Sequence, residues 1–170
     1  TKFRAMGKLS GDPFALLRNS EYEISAINQQ LAKYAQQSNK LHIAQKLNFT
    51  LLTVRIAGSL HDLVNQRNKT FSEKTLGKPD VQRSLLALKK LTTQFDHYPA
   101  LAIFSESDED DDYFDDEEEN ADLATDAIDE LKSQVNRYQR ELTNTIAIQS
   151  QIQTGIALLT EQVDKFQQTI

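Results

Sequence analysis

The densest chemistry in this 170-residue chain is a run of carboxylates. From Glu106 to Glu119 there are eleven acidic residues and no basic one. Crowded carboxylates repel one another, and a hard cation with oxygen ligands relieves that repulsion. Asp108, Asp110, Asp112, Asp116 and Glu119 fall at positions 1, 3, 5, 9 and 12 of a calcium-loop register. Position 6 of such a loop is glycine, for its sharp turn, and here it is Tyr113. These five residues are the candidate metal ligands, for calcium or magnesium held in a looser site than an EF-hand. Two other readings stand beside this one. The segment is a solvated acidic loop, or it docks on basic residues such as Arg67, Lys69, Lys74 and Arg83, with Tyr113 and Phe114 as apolar anchors.

Other reactive side chains are sparse. The chain has no cysteine, which removes disulfides, thiolate metal sites and cysteine nucleophiles together. His42, His61 and His97 lack metal-type spacing. No G-x-S-x-G elbow and no glycine-rich phosphate loop occurs. The expectation is a protein that is not an enzyme and carries no catalytic residues. Net charge is −6, but removing the eleven clustered acids from the 25 present leaves 14 against 19 basic residues. The body is thus about +5 and mildly basic. It has no Lys/Arg stripe interleaved with aromatics, and the acidic run repels phosphate, so nucleic acid is not expected as a partner.

The elements that must position these groups read as helices. Only five Gly and three Pro occur, and apolar content is 39%. Low apolarity at this size suits an elongated bundle with a narrow seam rather than a globular core. Asp12-Pro13 is a helix start, since Asp caps free amides and Pro fits the first turn. No proline follows until after Phe71, so the pattern predicts one long helix over 12–71. Its seam runs Ile24, Ile27, Leu31, Tyr34, Ser38 and Leu41, then shifts to Phe49, Leu52, Ile56, Leu60 and Leu63. The part from 41 to 64 has a second apolar face through Ile43, Leu47, Leu51, Val54 and Val64, which predicts neighbours on two sides. Gly58 marks either a close helix approach or a weak point.

Gly77 and Pro79 predict a turn. A short helix follows over 81–98, closed by Pro99. Residues 100–120 form the acidic linker. From 121 to 170 no proline occurs, and the seam Ile128, Leu131, Val135, Tyr138, Leu142, Thr145, Gln149, Ile152, Ile156, Leu159, Val163, Phe166, Ile170 alternates steps of three and four. That is a sustained heptad repeat. Thr145 and Gln149 are polar seam positions: a layer that fixes register, or a ligand site inside the bundle.

The expected fold is all-α: a single elongated antiparallel bundle of two long helices and one short one, with the acidic loop at the distal end. Two long helices alone leave an incomplete core near the chain ends, which a homodimer would complete. No window of 18 apolar residues is present for a membrane span.

In architecture the chain resembles the extracytoplasmic sensor domains of bacterial chemoreceptors and sensor histidine kinases. The opening helix (20–71), the closing helix (121–170) and the closing residues Val163-Asp164-Lys165-Phe166 carry the resemblance. It implies a periplasmic input domain of a transmembrane receptor, tethered by segments outside this sequence. Such a domain passes ligand or cation binding across the membrane by small helix displacements in a dimer. No ligand-binding residue is carried over. The alternative is a non-enzymatic coiled-coil assembly or secretion-apparatus protein.

Overall fold

The computed structural model describes Asp12, residues 14–104 and residues 122–168. Among the described residues there are four helices, α1 (Ala15–Gln37), α2 (Ile43–Ser72), α3 (Asp80–Thr93) and α4 (Leu123–Gln168), with a 3-10 turn at Gln94–His97. The protein is an all-α bundle. α1 packs on α2 and α4, α2 on α3, and α3 on α4, so helices adjacent in sequence are adjacent in space around a ring. This is the up-down-up-down arrangement that short connections favour.

The expected single helix over 12–71 is two antiparallel helices. Ser38 takes an extended backbone conformation and ends α1. Its hydroxyl donates to the Leu101 carbonyl (3.0 Å) and accepts from the Lys40 amide (3.1 Å). A serine hydroxyl that offers the backbone such partners competes with helix continuation. His42 then restarts the chain with a capping box. Its Nδ1 accepts from the Gln45 amide, and the Gln45 side chain accepts from the His42 amide. The apparent shift of seam near 41 is therefore a reversal of direction, not a stutter in one helix.

Each helix buries one row. α1 buries Leu17, Ile24, Leu31 and Ala35, and α2 buries Phe49, Leu52, Ile56, Leu60 and Leu63. α3 contributes Val81, Leu85 and Leu88, and α4 contributes Leu131, Val135, Tyr138 and Leu142. Of the second apolar face expected on α2 only Val64 packs against the core, while Ile43, Leu47, Leu51 and Val54 are exposed. Gly58 meets nothing within 4 Å of a built Cβ, which makes it a weak point rather than a close approach. One end of the bundle is roofed by Phe49, Phe95 and Tyr98, with ring centroids 5.0 and 5.2 Å apart. At the other end Phe14 at the start of α1 stacks on Phe71 at the end of α2 (4.9 Å).

The α2–α3 turn closes with a Schellman motif. Thr75 N–H bonds the Thr70 carbonyl (3.0 Å), and Lys74 takes the left-handed conformation (φ 56°) that glycine usually fills. α3 with its 3-10 extension matches the short helix expected over 81–98. α4 matches the closing helix, but only its first half lies in the bundle. Side chains of α4 beyond Gln149 are mostly exposed, and its apolar row there contains Ile152, Ile156, Leu159 and Val163. The body is therefore four helices thick and the protrusion one helix thick, rather than the two paired long helices expected near the chain ends. The protruding part, residues 149–168, is about 30 Å long at 1.5 Å per residue.

Candidate functional site

Two features outside ordinary apolar packing stand out: a charged cluster inside the bundle, and the place where α4 leaves it. The cluster begins with Glu21. It sits on the buried row of α1, between Leu17 and Ile24, where an apolar residue would normally fall. Arg67 occupies the matching row of α2, four residues after Leu63. The pair is bidentate: Arg67 Nε donates to Glu21 Oε2 (2.5 Å) and Nη2 to Oε1 (2.8 Å). Tyr138 on α4 donates its hydroxyl to the same Oε2 (2.7 Å). All three side chains are buried. One carboxylate thus ties three helices together, and every hydrogen bond is directional.

The electrostatics follow from that geometry. Burial pushes the Tyr138 phenol well above its ordinary value, and the charge and hydrogen bond of Glu21 push the same way. Burial alone would lower the Arg67 guanidinium. The hydrogen bond and charge of Glu21 outweigh it, so Arg67 is held above its usual value. The cluster is a closed, neutralised unit with its donors and acceptors matched. Its chemistry is structural: it fixes which faces of α1, α2 and α4 meet.

Further along α1, Asn28 is buried and donates to the Thr53 carbonyl (2.8 Å), while its Oδ1 has no hydrogen-bond partner among the described residues. A groove between α1 and α2 runs past it, edged by Tyr22, Ser25, Gln29 and His61.

Where α4 leaves the bundle, a cleft of about 390 Å³ is lined by Asp12, Leu16, Glu141, Asn144, Thr145, Ile148 and Gln149. Both polar seam residues singled out in the sequence are here. Thr145 bonds back to the Glu141 carbonyl (2.7 Å), so its hydroxyl proton is already committed. The acids are also engaged. Asp12 accepts from the Phe14 amide and pairs with Arg18. Glu141 accepts from Ser20 (3.0 Å) and from Arg137 (2.9 Å). The walls at Leu16 and Ile148 are apolar. The cleft is the seam between the floor of the bundle and the protruding helix, and its chemistry suits an apolar side chain with a polar edge.

The five residues expected to bind a cation, Asp108, Asp110, Asp112, Asp116 and Glu119, lie outside the described residues. The chain on either side of them is described. Phe104 and Asp122 form an antiparallel bridge, Leu123 N–H donates to the Ile103 carbonyl (2.7 Å), and Asp122 caps α4 through the Ala124 amide (2.9 Å). Among the described residues no group of three or more His, Asp and Glu is placed to hold a metal ion. His42 is a helix cap, His61 edges the α1–α2 groove, and His97 ends the 3-10 turn.

Sequence reasoning placed Tyr138 on the seam, missed Glu21 and Asn28, and read Arg67 as a docking cation for the acidic segment, whereas it is buried and paired with Glu21. The signal was present. Leu17, Glu21, Ile24, Asn28, Leu31 and Ala35 keep strict steps of four and three, and a polar residue on such a row is a buried polar residue. Comparison of the chain with protein-family models, with curated proteins and with solved structures returned no match.

Proposed function

We propose that the chain is a non-enzymatic helical assembly module. The four-helix body is a rigid support, and the protruding half of α4 is the part that engages another helix. One observation carries this reading. The heptad row that is core within the bundle continues outside it as Ile152, Ile156, Leu159 and Val163, which are 48%, 57%, 62% and 53% exposed. A contiguous apolar stripe of this length on a charged-and-polar helix marks an association surface. The test is a photo-crosslinking residue at Leu159, with Gln30 on the bundle surface as control, in cells expressing the whole protein. Adducts heavier than one chain are expected at Leu159 and not at Gln30. Equal labelling at the two positions would overturn the reading.

A second reading rests on a different observation. α1 starts beside the point where α4 leaves, since Leu16 and Ile148 line the same cleft. Entry and exit at one end is the layout of an extracytoplasmic input domain, in which ligand or cation binding displaces the last helix. No helix of the described residues is long and apolar enough to cross a membrane, so tethering would fall to other segments. A thermal melt in chelator and then in millimolar calcium or magnesium tests the cation arm. A ligand that binds only the folded state raises the midpoint. A rise of several degrees that is lost when Asp108, Asp110 and Asp112 become Asn supports it. No shift with either ion removes it.

A further inference from the structure

Resting on the assembly reading, we infer that the helix engaged by the protruding half of α4 is the same segment of a second copy, packed antiparallel. Three observations lead there.

The first is the register. On the heptad that runs through the bundle, Gln149, Ile156 and Val163 are a positions, and Ile152 and Leu159 are d positions. An antiparallel partner pairs a with d. With the two-fold axis between residues 157 and 158, Ile156 lies opposite the second copy's Leu159, and Ile152 opposite its Val163. Every layer between these is apolar on both sides. The segment is therefore complementary to itself, which a two-fold interface requires.

The second is charge. Charged residues at e and g positions select partners and penalise wrong ones. Here those positions are Gln153, Gly155, Thr160 and Gln162, all uncharged. Glu161, Asp164 and Lys165 occupy the outward b, c and f positions, where Glu161 and Lys165 pair within the helix (3.4 Å). Nothing opposes like with like, and nothing calls for a partner of opposite charge.

The third is space, and it sets the direction. Within the bundle the same stripe, at Leu131, Val135, Tyr138, Leu142 and Thr145, is buried among the helices on which α4 packs. An ideal helix drifts only about 20° per heptad relative to such a stripe. The exposed stripe at 152–163 therefore faces the volume directly below the bundle floor, where Phe14, Phe71 and Leu76 close the core. A parallel partner helix followed upward would run into that floor, and its own bundle would occupy the same volume as the first. An antiparallel partner carries its own bundle to the far end of the helix pair, with its Phe166 opposite Gln149 beside the cleft lined by Leu16 and Ile148. Each copy then supplies a helix below the other's bundle, where the described residues place only the protruding half of α4. Twenty residues of helix paired this way bury roughly 1,200 Å² in all, the lower edge of a stable specific interface. The association is thus reversible and concentration-dependent.

The absence of cysteine makes the test clean. Light scattering on the whole chain is expected to show twice the 19.3 kDa mass at high concentration, and Ile156→Asp is expected to return the monomer with unchanged helicity. Ile152→Cys and Val163→Cys proteins are then oxidised separately and mixed. The antiparallel register predicts a disulfide only in the mixture, because identical positions lie about 16 Å apart along the axis and a disulfide needs Cα atoms within about 7 Å. Disulfides in each separate sample would mean a parallel pair and overturn the inference. A monomer at all concentrations that still gives Leu159 photo-adducts would also overturn it, while leaving the assembly reading intact. A monomer without adducts would remove both.

Discussion

Glu21 is the residue on which three helices depend, and its removal should be costly for a specific reason. Truncation to Ala leaves Arg67 buried with no counter-charge and Tyr138 with no acceptor. Breaking a buried pair in this way costs about 3–5 kcal/mol, which for a chain of this size is a fall in midpoint of roughly 10 °C. Replacing the whole unit is different. With Glu21 and Arg67 both changed to Met and Tyr138 to Phe, no group is left unpaired, and stability should return to within about 1 kcal/mol of the native chain or exceed it. Thermal melts of the single and triple variants check this. The cluster thus contributes more to the choice of packing faces than to net stability. Its phenol also gives an alkaline signature. The folded-state pKa of Tyr138 is raised, so its contribution is complete below the ordinary phenol value near pH 10 and is lost as pH rises above it. Melting midpoints should fall above about pH 10 in the native protein, and fall less steeply in Tyr138→Phe.

At the scale of elements, α2 illustrates what one helix can tell and what it cannot. Its buried row, Phe49 to Leu63, was legible because apolar residues at steps of three and four declare a seam. Its second apolar row was equally legible, yet all of it but Val64 is exposed. Periodicity reports that a face is apolar and does not report what covers it. The break before α2 was misread for a related reason. Ser38 and Leu41 fall on the seam by spacing, and spacing carries no direction. The signals that did carry direction were local: a serine able to bond its surroundings, and His42 three residues before Gln45. Arg67 was read as a surface cation because a charged residue ends a row when only apolar residues are counted. Gly58, on the exposed side of α2, offers a check on this description. A Cβ there meets nothing within 4 Å, so Gly58→Ala should stabilise the protein by about 0.5–1 kcal/mol through the backbone alone. A drop in midpoint would mean that this face is covered.

Viewed whole, the molecule divides into a body that closes its own core and a helix that cannot. The body satisfies the rule that each amphipathic face be buried, apart from the stripe on α2. The protruding half of α4 does not, and its uncharged flanks make the consequence measurable. Self-association through an apolar stripe without e and g charges should be nearly insensitive to salt, whereas pairing through surface charges weakens as the screening length shortens. Sedimentation at 50 mM and 500 mM salt, where the screening length falls from roughly 14 to 4 Å, should give the same dimer fraction. A strong loss at high salt would place the contact on a charged surface instead.

The bridge between Phe104 and Asp122 has a consequence of a polymer kind. The two ends of a 17-residue stretch meet at one rung, with the Leu123 amide on the Ile103 carbonyl just below it. The cost of closing a chain between two fixed points grows only as the logarithm of its length. Exchanging residues 105–121 for a four-residue turn should therefore raise stability by about 1 kcal/mol, and calorimetry of the shortened chain would detect it. The rung behaves as a socket. It fixes the register of α4 against the bundle at one point, next to the Asp122 carboxylate that caps the helix.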